Sequence, residues 1–360
     1  MTRHIDFALA LHKELARDVP ATSNLVWSPY SVASALGVTA TGARGTTYDE
    51  LARVLGGDLA ALGAELSRAA RLDDADVAVA NTLWARLGLA FDDGYQQGVL
   101  GWPGGAVHAA DFRRDPEGAR VKINADVEKT TRGLIKELIQ RGLITSDTAA
   151  VIVNALYLKV AWRQAFEKSA TLPRPFYGPS GRRRVPMMRQ AQRMRHAAAG
   201  GWRMVTLPTA SEVVVDALLP DDDRADLSDL GAATLTGLYD SAAPVQVDLM
   251  LPRFRAETPT TLNGPLGALG ISAAFDPEAA DFTGITEAER IWIDQVVHQA
   301  VLRVDEQGFE GAAATAVVMR LAAAFGSGRT VEFHVDRPFL LFVRHPATGA
   351  IYFLARISEP

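Results

Sequence analysis

The sequence predicts an α+β fold, with helices first and strands later. Two patterns carry that expectation. Apolar residues recur four apart between capping signals in the first third, and from about residue 150 onward short β-branched runs replace them. The two do not alternate as βαβ units would. No linker-like low-complexity stretch interrupts the 360 residues, so 1–360 reads as a single domain. A composition of 48% hydrophobic and 22% charged residues supplies a large core.

At the N-terminus, Phe7, Leu11 and Leu15 are separated by charged residues including Lys13 and Glu14. This predicts an amphipathic helix rather than a secretory h-region, so the expected location is the cytoplasm, or outside the cell after removal of a leader. Ser28 before Pro29 predicts a helix start, with Val32, Ala35 and Leu36 on its apolar side. Thr46 and Thr47 ahead of Glu50 form a capping-box pattern closed by Gly56 and Gly57. A further helix is expected from Asn124 to Arg141, with Val127, Thr131, Leu134 and Leu138 on one face and Gly142 as its stop. The run Val151 to Leu158 then reads as a strand buried on both faces. Val213–Leu219, Val245–Leu251, Ile291–Val297, Ala300–Val304, Val331–Val335, Phe339–Val343 and Ile351–Ile357 read as further strands.

Composition excludes several functions. Lys+Arg 37 against Asp+Glu 42 gives a net charge of -5, unlike a nucleic-acid binder. Cys 0 removes disulfides, thiolate metal sites and cysteine nucleophiles. No apolar stretch approaches the ~18 residues of a membrane span. There is no G-x-S-x-G elbow, phosphate loop or H-E-x-x-H pair, so neither metal, cofactor nor catalytic centre is expected. Asp221-Asp222-Asp223 follows a strand and Pro220 and reads as a solvated turn. No acid occurs between Glu167 and Glu212, where Arg182, Arg183, Arg184, Arg189, Arg193, Arg195 and Arg203 stand. A solvated basic hairpin is expected there, with a polyanion patch as the alternative.

The segment after Val304 breaks the local rules. Ala-rich propensity predicts a helix over Glu310 to Phe325, yet glycines stand at 308, 311, 326 and 328 and no polar face exists. Either the segment is a buried helix or lid, or it has two states, sliding between strands on small side chains with Gly308 as hinge.

An ordered set of motifs bears on that choice. Asn24-Leu25-Val26-Trp27-Ser28-Pro29-Tyr30-Ser31 comes first, then Ile123-Asn124 with Thr130 or Thr131, Gly133 and Ile139. Val153-Asn154-Ala155-Leu156-Tyr157-Leu158-Lys159 follows, with Trp162 and Phe166. Leu251-Pro252-Arg253-Phe254, Leu269-Gly270-Ile271, Ala280-Asp281-Phe282-Thr283-Gly284-Ile285, Val297-His298-Gln299-Ala300 and Arg337-Pro338-Phe339-Leu340 complete the order. Together these resemble the serpin family over nearly the whole chain, and an inhibitory member of prokaryotic type.

The resemblance implies three β-sheets, eight or nine helices and an exposed reactive-centre loop, here about 308–329. It implies not an enzyme but a monomeric suicide-substrate inhibitor whose partner is a serine protease, held covalently, with no nucleic acid or membrane. The hinge would be Glu306, Gly308, Phe309, Glu310, Gly311, Ala312, Ala313, Ala314 and Thr315. Counting sixteen residues past Glu306 gives Ala322–Ala323 as the scissile bond, with Leu321 and Phe325 as alternatives; counting back from Pro338 lands near Ser327. No basic residue lies within Leu321 to Phe325, which favours enzymes of chymotrypsin, elastase or subtilisin type. Ser28, Ser31, Asn154 and His298 would sit under the opening sheet and Trp162 at its top. Read alone, His298 is a core histidine. Asp126 stands where the family has Trp, and Phe309 where it has a small residue, usually Thr. A ring buried early in insertion would be obstructive, so the alternative is a non-inhibitory serpin acting as a binding or chaperone-like module.

Overall fold

A computed structural model of the chain describes residues 2–309 and 330–360. The first half runs α1 (Thr2–Asp18), β1 (Leu25–Trp27), α2 (Pro29–Gly42), α3 (Gly45–Val54), α4 (Leu59–Ala69), β2 (Ala75–Arg86), α5 (Asp93–Val99), β3 (Gly105–Ala110), α6 (Pro116–Thr130) and β4 (Ala150–Ala161). There follow β5 (Leu172–Gly178), β6 (Gly181–Ala199), β7 (Trp202–Pro208), β8 (Val214–Pro220), α7 (Ala232–Ser241), β9 (Ala243–Pro252), β10 (Phe254–Thr261) and α8 (Asn263–Ala268). The last strands are β11 (Gln295–Val304), β12 (Gly308–Phe309), β13 (Val331–His334), β14 (Phe339–Arg344) and β15 (Ile351–Ile357).

The α+β expectation holds. A 6-stranded sheet has the order β10-β11-β12-β4-β2-β3, and a 9-stranded sheet the order β1-β15-β14-β8-β7-β6-β9-β13 with β5 paired to β6. The larger sheet has two portions joined through the long β6, which pairs with β5 and β9 along most of its length and with β7 over Arg195–Ala199. Those two portions and the 6-stranded sheet make up the three sheets expected.

Alternation along the strands of the smaller sheet divides the core. Val151, Val153, Val297 and Val301 pack beneath Ile123 and Val127 of α6. Ile152, Leu156, Val296 and Ala300 point the other way, into the main cluster with α2. α2 starts as expected: Ser28 is its N-cap, the side chain accepting from the Ser31 amide, with Pro29 at the first position.

Several local expectations fail for identifiable reasons. The first third contains three strands, the short β1 and also β2 and β3, the last two hidden by alanine-rich sequence with weak β propensity. The helix expected from Asn124 to Arg141 ends at Thr130 instead. Arg132 and Gly133 adopt φ of 52° and 81°, and the Gly133 amide closes back onto the Glu128 carbonyl. Asn124 then fastens the descending chain, accepting from the Ile139 amide at 2.8 Å and donating to its carbonyl at 2.9 Å. Ile291–Val297 and Ala300–Val304 are not two strands: one ladder runs from Gln295 to Val304, while Ile291 and Ile293 are buried outside it. Thr46 and Thr47 lie inside α3 and cap nothing. Thr47 instead accepts from the Asp281 amide, and the Glu50 carboxylate from the Ser272 and Ala273 amides. The basic hairpin exists as β5 and β6, and Asp222 closes the acidic turn by accepting from the Arg224 amide.

The larger sheet is fastened by a buried charge pair. Asp216 on β8, fully enclosed, accepts from Arg344 Nε on β14 at 2.5 Å and from Thr206 on β7 at 2.6 Å. The Arg344 guanidinium lies 3.8 Å from the Tyr239 ring centroid. Removing one partner strands the other charge in the interior. Asp216→Ala is expected to cost about 3–5 kcal/mol, against about 1 kcal/mol for Thr206→Val, read from urea unfolding midpoints. Equal shifts for the two variants would refute this account of the pair.

Candidate functional site

β4 and β11 are parallel neighbours, yet their ladder covers only Gln295–His298 against Val151–Asn154. At the other end β12 stands between them, Phe309 pairing with Val304 and Val160, and Gly308 with Ala161. Between these two closures, residues 155–159 of β4 and 299–303 of β11 have no ladder partner across the seam among the described residues. On its other side β4 is laddered to β2, and β11 to β10, throughout this stretch.

The lower closure is a polar row on the α2 side of the sheet. Asn81 on β2 is opposite Asn154 on β4, which is opposite His298 on β11. The Ser28 amide donates to His298 Nε2 at 3.0 Å, which leaves Nδ1 to carry the proton towards Asn154 Oδ1 at 2.6 Å. Asn154 Nδ2 donates to Asn81 Oδ1 at 2.5 Å, Ser31 Oγ donates to the same oxygen at 3.2 Å, and Asn81 Nδ2 donates to the Pro103 carbonyl at 2.7 Å. Every member is buried, and burial lowers the His298 pKa from 6.5 to about 3, so the ring is neutral.

The upper closure is built around Trp162. Its ring nitrogen donates to the Asp305 carbonyl at 2.8 Å and its amide to the Gln307 carbonyl at 2.9 Å. The Phe166 amide donates to the Glu306 carbonyl at 2.8 Å, and the buried Glu306 carboxylate lies 3.4 Å from Arg253. The Phe309 ring is 1% exposed and meets Trp162 edge-on at 6.1 Å. Gly308 opens β12 and is not in a left-handed conformation. A Cβ there would lie 2.1 Å from the Val160 carbonyl oxygen, so the residue is small because two backbones touch.

A protein-family model described as serpin (serine protease inhibitor) matches residues 2–360. This chain belongs to the serpin family. It is 32% identical to human leukocyte elastase inhibitor, with 98% of this chain and 97% of that one covered. Native protease nexin-1 with heparin superposes with a TM-score of 0.88 at 27% identity, over 99% of this chain and 98% of that one. Thyroxine-binding globulin complexed with thyroxine gives a TM-score of 0.87 at 24% identity, over 100% of this chain and 98% of that one.

In this serpin, Ser28, Ser31, Asn154 and His298 come together as one network, and Trp162 joins Glu306, Gly308 and Phe309 at the other closure. Glu310, Gly311, Ala312, Ala313, Ala314, Thr315, Leu321, Ala322, Ala323 and Phe325 lie outside the described residues. Asn81 escaped the sequence reading although it stands at one end of the row and accepts from both Asn154 and Ser31. A lone amide within the apolar stretch Val77 to Trp84 was the available signal. The expectation that the Phe309 ring must be buried at the start of insertion also changes, because the ring already is.

The buried imidazoles make this serpin acid-sensitive. Burial holds His298 and His12 at about 3 and His4 at about 4, each from 6.5. Above pH 6.5 neither the folded nor the unfolded form protonates these rings. As pH falls below it only the unfolded chain does, so stability is lost progressively, by about 1.4 kcal/mol per pH unit for each ring, until the folded values are reached. His298→Gln, which keeps one donor and one acceptor, should lower the proton uptake on unfolding by about half a proton at pH 6.5, rising to about one at pH 5. Unchanged uptake would contradict a neutral buried His298. Separately, Gly308→Ala should prise β12 from β4 and increase proteolysis beside residue 309, with the far ladder intact by hydrogen exchange.

Proposed function

We propose that this serpin is a suicide-substrate inhibitor of serine proteases whose loop, 308–329, is cut and then inserted along the β4/β11 seam. The observation that carries the reading is that seam: two central strands, each saturated on one side, left without ladder partners across the seam among the described residues for five residues between two closures. At Ala322–Ala323 the protease serine oxygen attacks the Ala322 carbonyl carbon, and the bond to the Ala323 nitrogen breaks. The new amine takes the proton that the serine gave up, leaving an ester. A strand entering the seam then pairs on both sides, and about ten bonds at ~1 kcal/mol net release on the order of 10 kcal/mol. That is comparable with the stability of a whole domain.

Glu306, Gly308, Phe309 and the residues to Thr315 act as the hinge, Trp162 as the latch above the seam, and Ser28, Ser31, Asn154 and His298 as the shutter below. Adjacent strands lie ~4.8 Å apart. A strand inserted past His298 doubles its separation from Asn154 and must break their 2.6 Å bond. The hydroxyls and amides around it offer replacement partners, which apolar side chains would not. Since the Phe309 ring is seated beforehand, insertion starts at residue 310. Leu321 to Phe325 holds no basic residue, Arg320 lying just upstream, and a relative is named an elastase inhibitor, so the target is of elastase, chymotrypsin or subtilisin type.

The test is equimolar incubation with elastase, chymotrypsin, subtilisin and trypsin, followed by denaturing gels and intact mass. A denaturation-resistant adduct and a released fragment beginning at Ala323 are expected with one of the first three. A clipped chain with full protease activity across the panel would reject inhibition in favour of a binding serpin.

A further inference from the structure

A cavity of about 410 Å³ opens on the α6 side of the smaller sheet. Its roof is the chain that follows α6, including Lys136 and Glu137, and its floor is Arg255 and Glu257 of β10 with Gln299 and Arg303 of β11. The roof is held from the helix. After the chain reverses at Arg132 and Gly133, the largely buried Arg120 of α6 donates to Glu137 Oε1 at 2.8 Å and to the Ile139 carbonyl at 3.1 Å. The floor is set by alternation: Arg255, Glu257, Gln299 and Arg303 share the face that Val301 turns towards α6.

Charge in the cavity is unbalanced. Arg255 is directly opposite Arg303 in the β10/β11 ladder, and like charges so placed repel. Lys136 adds a third cation from the roof, exposed and without a carboxylate partner among the described residues. The carboxylates that face these cations are already engaged. Glu137 is held by Arg120, and Glu257 accepts from Arg255 at 3.0 Å and from Gln299 Nε2 at 2.5 Å. The cavity is thus cationic in a chain whose net charge is -5.

The floor also holds an unmet acceptor. Gln299 is 7% exposed, and its Oε1 is buried without a donor among the described residues. The Glu257 carboxylate fixes which way this amide faces, because the reversed amide would set its oxygen against a carboxylate.

We propose that this cavity binds a small dicarboxylate that carries a hydroxyl. The carboxylates lie among Lys136, Arg255 and Arg303, where they relieve the opposed guanidiniums, and the hydroxyl donates to Gln299 Oε1. The volume stands near the lower end for ligand pockets, which suits an acid of metabolite size and not a polymer. Bound there, the acid fastens the chain after α6 to β10 and β11, on one side of the β4/β11 seam. The site belongs to the uncut protein and does not depend on the inhibitory reading.

The test is calorimetric titration of the uncut protein with malate, succinate and inorganic phosphate at low ionic strength. Malate should bind with a Kd of about 1 mM or below and raise the melting temperature by mass action. It should bind about fivefold more tightly than succinate, which lacks only the hydroxyl. Lys136→Gln, at an exposed position, should weaken both acids alike and leave the melting temperature of the free protein unchanged. Gln299→Met should bring the malate-to-succinate ratio to about one. The proposal is overturned if malate at about 20 mM gives neither heat nor a melting shift. It is also overturned if phosphate displaces malate at equal concentration, which would mark an adventitious ion only, or if both variants leave the affinities and their ratio as in the wild type.

Discussion

A hydrogen bond between two side chains, His298 Nδ1 and Asn154 Oδ1, stands at the point where two central strands stop pairing. Below it the sheet is closed, and above it no ladder joins the two strands among the described residues until Phe309. Much of the surrounding architecture sets that arrangement up. α2 brings Ser28 and Ser31 beneath the sheet, β2 supplies Asn81, and Pro103 receives the last donor. A neutral imidazole is required because a charged ring would lose its acceptor face to Ser28 and bring an unpaired charge into the core. The network closes the sheet at this level with directional hydrogen bonds rather than interdigitated apolar packing.

The two closures differ in kind. The lower one is polar and directional. The upper one is aromatic, with Phe309 against Trp162 and Trp162 against Phe166, and hydrogen bonds from Trp162 fix the turn that presents β12. Gly308 permits the closest backbone approach, and Phe309 immediately fills the space beside it. The substitution that looked like an obstruction in the sequence is a plug in the structure.

The later strands were legible because β-branched runs between Pro and Gly have few alternatives, as in Phe339–Arg344. β2 and β3 were not, because Ala-rich segments take their conformation from their neighbours. The end of α6 was misread because apolar spacing continued through Leu134 and Leu138 after the backbone had turned at Arg132 and Gly133. Here Asn124 holds Ile139 from the helix, a bond no periodicity records. Ser28, Asn154 and His298 could be named in advance only through the ordered motifs; taken singly, each is an ordinary buried polar residue. Asn81 lies in none of those motifs and became visible only when register placed it opposite Asn154.

The topology also bears on a chain cut anywhere between 310 and 329. Everything after it, β13, β14 and β15, is built into the larger sheet: β13 pairs with β9, β14 with β8, and β15 with β1. The buried Asp216–Arg344 pair bridges the two sides of the interval. A molecule nicked there is a pair of complementary fragments, the smaller one threaded through the interior of the larger. Such fragments hold together for as long as the larger sheet stays intact.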